Sequence, residues 1–261
     1  MLKNAKGFTL IELAVVLFLI SLVLGGVMTP LATRVEQEER RKTEELLAEI
    51  KESLVGYALV NGHLPCPDCP GDAASASCTA AGTTSNDGIE DGVDGTATAV
   101  SPRGTPNDFA SCAVEVGNLP WATLGVEEFD AWGNRFLYSV DQTFADNVAG
   151  TTCGTPTAGV SFEICSAGDT SIWENGGAAP SNLVANNVPA LVLSFGANGN
   201  AFGGTAPTTV NEIENWWTDV ADRNFVSTDY NSTTAAEFDD LVIWLSPGAL
   251  IYKMVNAERL P

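Results

Sequence analysis

The chain has 261 residues, 45% of them hydrophobic, which is enough for a packed core and too much for wholesale disorder. Only 12 Lys+Arg stand against 33 Asp+Glu, a formal net charge of −21, and this excludes a nucleic-acid surface, whose affinity comes from cations on phosphates. A single histidine, His63, excludes a multi-histidine metal centre, and no convergent nucleophile and base are recognisable, so the chain is not expected to be an enzyme. The charge is uneven: residues 1–60 nearly balance, with seven cations and eight acids, whereas residues 61–261 hold five cations and 25 acids. A mixed-charge stalk thus leads into a strongly acidic body, which is soluble and self-repelling.

Residues 1–6 form a short polar start with Lys3 and Lys6. Residues 8–27 read FTLIELAVVLFLISLVLGGV, with Glu12 as the one charge, the length a helix needs to cross a bilayer. The preceding lysines predict an N-in orientation. A secretory signal peptide would be shorter and end at a small-x-small cleavage site. A carboxylate inside hydrocarbon costs about 3 kcal/mol, so Glu12 needs a role and a partner.

The run Lys6-Gly7-Phe8-Thr9-Leu10-Ile11-Glu12 resembles the prepilin cleavage motif of the type IV pilin and type II secretion pseudopilin superfamily. The resemblance implies cleavage between Gly7 and Phe8 by a prepilin peptidase, then N-methylation of Phe8. It also implies pairing of the Glu12 carboxylate with the Phe8 amine of a neighbouring subunit, so that two costly charges cancel inside the membrane. The expected divisions are a leader at 1–7, a transmembrane helix at 8–29 and an amphipathic stalk helix at 30–62. An acidic body at 63–261 follows, facing the periplasm or the exterior.

Gly25, Gly26 and Pro30 predict a kink or local melting of the first helix, or a simple bend. Leu47, Ile50, Leu54 and Ala58 recur at helical spacing and predict one apolar face. Glu38 and Lys42 stand at i,i+4. Asn61-Gly62 predicts the helix end.

Residues 71–108 are rich in Ala, Ser, Thr, Gly and Asp and predict a long loop. Its acidic run, Asp87-Gly-Ile-Glu90-Asp91-Gly-Val-Asp94, misses the EF-hand spacing and reads as a solvated loop rather than a calcium wrap. Strands are predicted at 136–140, 160–164, 190–195 and 241–245, a short helical turn at 118–125, and a final helix after Ser246-Pro247 with Leu250, Ile251, Met254 and Val255 on one face. The fold class is α+β: a long N-terminal transmembrane and amphipathic helix packed on an antiparallel β-sheet, pilin-like, with long disulfide-held loops.

Six cysteines in an outward-facing body predict disulfides. The expected pairs are Cys66–Cys112, Cys69–Cys78 and Cys153–Cys165. Haem attachment is excluded because Pro70, not histidine, follows Cys66-Pro-Asp-Cys69; structural zinc on Cys66, Cys69, Cys78 and Cys112 is the competing reading.

Two further stretches are similar to major pseudopilins. Asp130-Ala-Trp-Gly-Asn134 resembles their Asp-x-Trp-Gly-Asn turn, with Trp132 expected to be buried. Residues 193–199, Gly203-Gly204 and 212–216 resemble their calcium loop. That resemblance implies Ca²⁺ held by Asn198 and Glu212 with backbone carbonyls at Ser194 and Phe195; a metal-free loop packed by Trp216 and Trp217 is the alternative. Asn198 and Glu212 replace aspartates of the family pattern, and both keep oxygen donors for calcium. No nucleotide is expected. The implied role is a pseudopilin-like structural subunit in the inner membrane of a Gram-negative-like envelope, later in a filament. Its implied partners are the prepilin peptidase, other pilin or pseudopilin subunits, and the assembly platform and ATPase. A minor pilin or tip adhesin is the competing role.

Overall fold

A computed structural model describes residues 9–71, 78, 85–93, 111–146, 154, 156–199, 206–216, 222–233 and 236–261, with the side chains of 23–32 left out. The chain divides into two compact units, 1–41 and 42–261. Helix α1 runs from Leu10 to Asn61. It continues as helix through Gly25, Gly26 and Pro30. It ends where Gly62 turns to φ +85° and its N–H meets the Ala58 carbonyl at 2.8 Å. A Cβ at Gly62 would strike the Gly159 carbonyl, so both the turn and the close approach require glycine.

In the first unit the apolar side chains of residues 10–22 are exposed. Among the described residues no helix is long and apolar enough to cross a membrane. The expected span at 8–29 is described with side chains only over 9–22. Glu38 pairs with Arg41, at i,i+3 and 2.5 Å, and not at the expected i,i+4 step.

The second unit is built on a four-stranded antiparallel sheet. Its strands are β3 (Val116–Asn118), β4 (Leu137–Val140), β7 (Ala190–Ser194) and β9 (Leu241–Trp244), in the order β3-β4-β7-β9. Both faces are buried, which is why β4 and β7 read as nearly continuous apolar runs. Alternation along each strand sends Tyr138, Val140, Ala190 and Val192 to one core and Leu137, Leu191 and Leu193 to the other. The first core is closed by Leu47, Ile50, Leu54 and Ala58 of α1, the predicted apolar face, all essentially buried. The second is closed by Phe195, Trp216 and Phe225.

A second sheet holds β5 (Thr170–Asn175), β6 (Ser181–Val188) and β8 (Asn224–Val226) in the order β6-β5-β8. Here β5 and β8 are parallel, so the antiparallel expectation fails for this sheet. A two-residue pair joins β1 (Gly92–Val93) and β2 (Ser111–Cys112). Short helices α2 (Trp121–Leu124), α3 (Gln142–Ala145) and α4 (Val210–Asn215) precede the final helix α5 (Pro247–Asn256). Ser246 takes the N-cap position of α5 but makes no side-chain capping bond. Leu250 and Met254 are buried, whereas Val255 is exposed.

The predicted strand at 160–164 does not form. Val160 and Phe162 are nonetheless core residues, so their apolar character reports burial and not ladder pairing. Trp132 is only half-buried, packed against the first core.

Disulfides join Cys66 to Cys112 and Cys69 to Cys78, which displaces the zinc reading. Cys165 is disulfide-bonded; Cys153, its expected partner, lies outside the described residues, as do Asp94 and most of the 71–108 loop. The described part of that loop corrects the solvated-acid reading. Glu90 and Asp91 are buried, 9% and 2% exposed. Glu90 accepts from the Tyr57 hydroxyl at 2.6 Å and the Cys66 N–H at 3.1 Å, and Asp91 from the Cys69 N–H at 2.9 Å. These carboxylates hold the backbone beside two disulfides, donors that would otherwise be buried without partners.

Asp68 lies beside them. Its Oδ2 accepts from the Gly88 N–H at 2.9 Å, and its buried Oδ1 has no partner. Burial, with the charges of Asp91 and Asp87, pushes its carboxyl up to about 7. A carboxyl raised on folding makes the native state hold its proton longer, so stability falls as pH rises from about 4 to about 7. Asp68→Asn keeps an acceptor for Gly88 and removes the charge. It is expected to flatten that fall, by up to about 4 kcal/mol for a shift of this size, in denaturant titrations at pH 5 and pH 8. An unchanged pH profile would show that Asp68 does not drive it.

Candidate functional site

The N-terminal site starts from a local signal. Thr9 followed three residues later by Glu12 is a capping box. The Thr9 N–H and hydroxyl donate to Glu12 Oε2 at 2.9 and 2.8 Å, and the Glu12 N–H donates to Thr9 Oγ1 at 3.3 Å. The carboxylate is thereby held at the helix start. Gly7 and Phe8 lie outside the described residues.

The second site lies beyond the end of the central sheet. The register of β7 and β9 sets Ser194 opposite Leu241, which brings Asp239 and Asp240, just before β9, against the loop after β7. Gly196 has φ +66° there, and a Cβ on it would strike Asp239. Glu212 arrives on α4. One carboxylate oxygen from each of Glu212, Asp239 and Asp240 lies within 4.8 Å of the others, and all three residues are buried. Asn198 bridges them: its N–H donates to Asp239 Oδ2 at 3.0 Å and its Nδ2 to Glu212 Oε1 at 2.9 Å. The Thr209 hydroxyl donates to Glu212 Oε2 at 3.2 Å. Asn215 Nδ2 donates to Asp240 Oδ2 at 2.7 Å. Asp239 Oδ1 is buried without a partner. A cavity of about 200 Å³, lined by Phe195, Asn198, Glu212 and Asp240 among others, adjoins the group.

Burial inside this acidic group opposes the ionisation of Asp239 and Asp240. Burial is the main cause and neighbouring acids add to it, so Asp239 is pushed up to about 6 and Asp240 well above the carboxylate range. Oxygen spacings under 4.8 Å suit a hard cation, whose ligands sit about 2.3–2.6 Å from calcium.

The sequence-predicted pair, Asn198 and Glu212, is therefore brought together, but by a hydrogen bond between them. The Ser194 hydroxyl donates to Asp130 Oδ2 at 2.6 Å, and the Phe195 ring meets Trp216 edge-on at 5.9 Å. The Asp130–Asn134 turn docks on the same loop, with Asn134 Nδ2 donating to the Gly196 carbonyl at 2.8 Å. Asp239 and Asp240 were missed by the sequence reading; two adjacent acids at the mouth of an apolar strand were the signal that could have found them. His63 is buried, with Nδ1 2.9 Å from the Leu64 carbonyl.

The family model for the prokaryotic N-terminal methylation motif matches residues 2–28. No curated protein matches the chain, and no solved structure matches it. The motif match supports the type IV pilin-like class and indicates a precursor of the kind that a prepilin peptidase cuts and whose mature form assembles with other pilins.

Proposed function

We propose that the chain is a structural subunit of a type IV-type filament, closest in role to a type II secretion pseudopilin. One observation carries this reading: the methylation motif opens a helix whose described apolar side chains, residues 10–22, are all exposed. So much apolar surface needs a cover, and a bilayer before assembly and packed sibling helices after it would supply one. The precursor would sit in the bacterial inner membrane with its N-terminus inside and its body in the periplasm. The assembly platform and ATPase would then draw the cut subunit into a filament.

The Glu212, Asp239 and Asp240 group would hold a calcium ion, with loop carbonyls near Ser194 and Phe195 completing an oxygen shell. The orphaned Asp239 oxygen supports this, because a buried acceptor without a partner costs about 1–3 kcal/mol. The ion would pin the loop after β7 to the entrance of β9.

Leader processing is tested with Gly7→Val in cells expressing a prepilin peptidase. The wild-type chain is expected to lose residues 1–7 and the variant to keep them, read by intact mass. Normal cutting of the variant, or an uncut wild type, would contradict the reading.

A further inference from the structure

Residues 61–261 hold five cations against 25 acids, so each cation is expected to have an acid beside it. Three do: Arg135 pairs with Glu128, Arg223 with Glu115 and Asp169, and Lys253 with Glu52. Arg103 lies outside the described residues. Arg259 is different. Its Nη2 donates to the Val60 carbonyl at 3.0 Å, its Nε is buried with no acceptor, and among the described residues no acid pairs with it. A cavity of about 300 Å³ adjoins it at the end of α1, with Asn61, His63, Asp146 and Ser161 also in its wall. The Ser161 N–H donates to the Gly62 carbonyl at 3.1 Å, which sets Ser161 against the helix end. Ser161 is 3% exposed, and its hydroxyl has no partner. Asn61 Nδ2 donates to the Tyr57 carbonyl at 3.0 Å, and His63 Nδ1 to the Leu64 carbonyl at 2.9 Å. Two residues of the wall thus carry a buried donor with no acceptor, and buried donors are ordinarily paired.

We infer that this cavity binds a small neutral α-amino acid, its carboxylate on Arg259 and Ser161 and its ammonium facing Asp146. The wall selects this class of ligand. A carboxylate accepts from both unused donors, and a guanidinium is its strongest side-chain partner. A plain anion would also face the Asp146 carboxylate in the same wall and be repelled by it. An ammonium group on the ligand turns that repulsion into attraction. The volume, about 300 Å³, stands at the lower end for small-molecule cavities, which suits an amino acid and excludes a nucleotide or an oligosaccharide. Every residue named in the wall belongs to the unit 42–261, so the site does not depend on the filament reading.

The test is titration calorimetry on the full chain purified in detergent. The probes are L-alanine and L-leucine, each set against the same molecule without its amino group, propionate and 4-methylpentanoate. At least one of the two amino acids is expected to bind saturably, and its counterpart about tenfold more weakly or worse. Arg259→Gln should weaken the amino acid by about tenfold or more, the effect of losing a charge-assisted hydrogen bond. Asp146→Asn should narrow the gap between the amino acid and its counterpart, a change of selectivity that a misfolded variant could not produce. Saturable binding of neither amino acid would overturn the proposal. So would counterparts that bind as tightly as the amino acids, or binding that survives Arg259→Gln unchanged.

Discussion

Glu12→Ala is expected to be cut normally and to stay out of filaments. Glu12 does two jobs that can be separated. Within the chain it completes a capping box with Thr9, and losing such a cap costs about 1 kcal/mol. Between chains, on the proposed reading, it neutralises the Phe8 amine of a neighbour in an apolar setting, where breaking a pair costs about 3–5 kcal/mol. The second loss is over a hundredfold in an assembly equilibrium. Thr9→Val breaks the box and keeps the carboxylate, so it should assemble far better than Glu12→Ala. Equal defects would mean that helix capping is the whole role of Glu12. Normal incorporation of Glu12→Ala into filaments would remove the pairing role altogether.

Calcium is expected to raise the thermal midpoint of the body by about 5–10 °C. An ion bound only to the folded state contributes about 2.7 kcal/mol at a hundredfold excess over its dissociation constant, and a domain of this size shifts by about 2–4 °C per kcal/mol. Asp240→Asn keeps the shape and the Asn215 contact while removing one buried ionisable carboxyl. It should lose the calcium shift, and its ion-free form should be at least as stable as wild type, because burial, with Glu212 and Asp239 nearby, already disfavours a charged carboxylate there. Glu212→Gln should behave the same way. Melts with calcium and with a chelator decide it. A calcium shift that survives both substitutions would place the ion elsewhere, and no shift in the wild type would leave a metal-free loop.

How much of this was legible differed by element. The stalk helix, its stop at Gly62 and its buried face of Leu47, Ile50, Leu54 and Ala58 follow from helical spacing and one left-handed glycine. The strands at 137–140, 190–194 and 241–244 were visible because a sheet buried on both faces writes itself as apolar runs. β6 was invisible for the opposite reason: an exposed strand with three asparagines and only two β-branched residues, Val184 and Val188, carries no clean alternation. Val160 and Phe162 misled because core packing and ladder pairing share the same residue types. The two cysteine pairs formed as expected, but the burial of Glu90 and Asp91 was not readable from a loop of small polar residues. They are buried because the disulfides draw backbone N–H groups inward and those donors need acceptors. The acidic site was half legible. Asn198 and Glu212 lie in one local stretch, whereas Asp239 and Asp240 reach it only through the register of β7 and β9, which no local pattern encodes.

The central claim, a processed subunit built to polymerise through its N-terminal helix, is tested most directly by intact mass spectrometry of the protein from its native membrane, with and without reduction. The account predicts a chain of residues 8–261 carrying one added methyl group and, before reduction, six fewer hydrogens for three disulfides. A mass that retains residues 1–7 in cells with an active prepilin peptidase would contradict it.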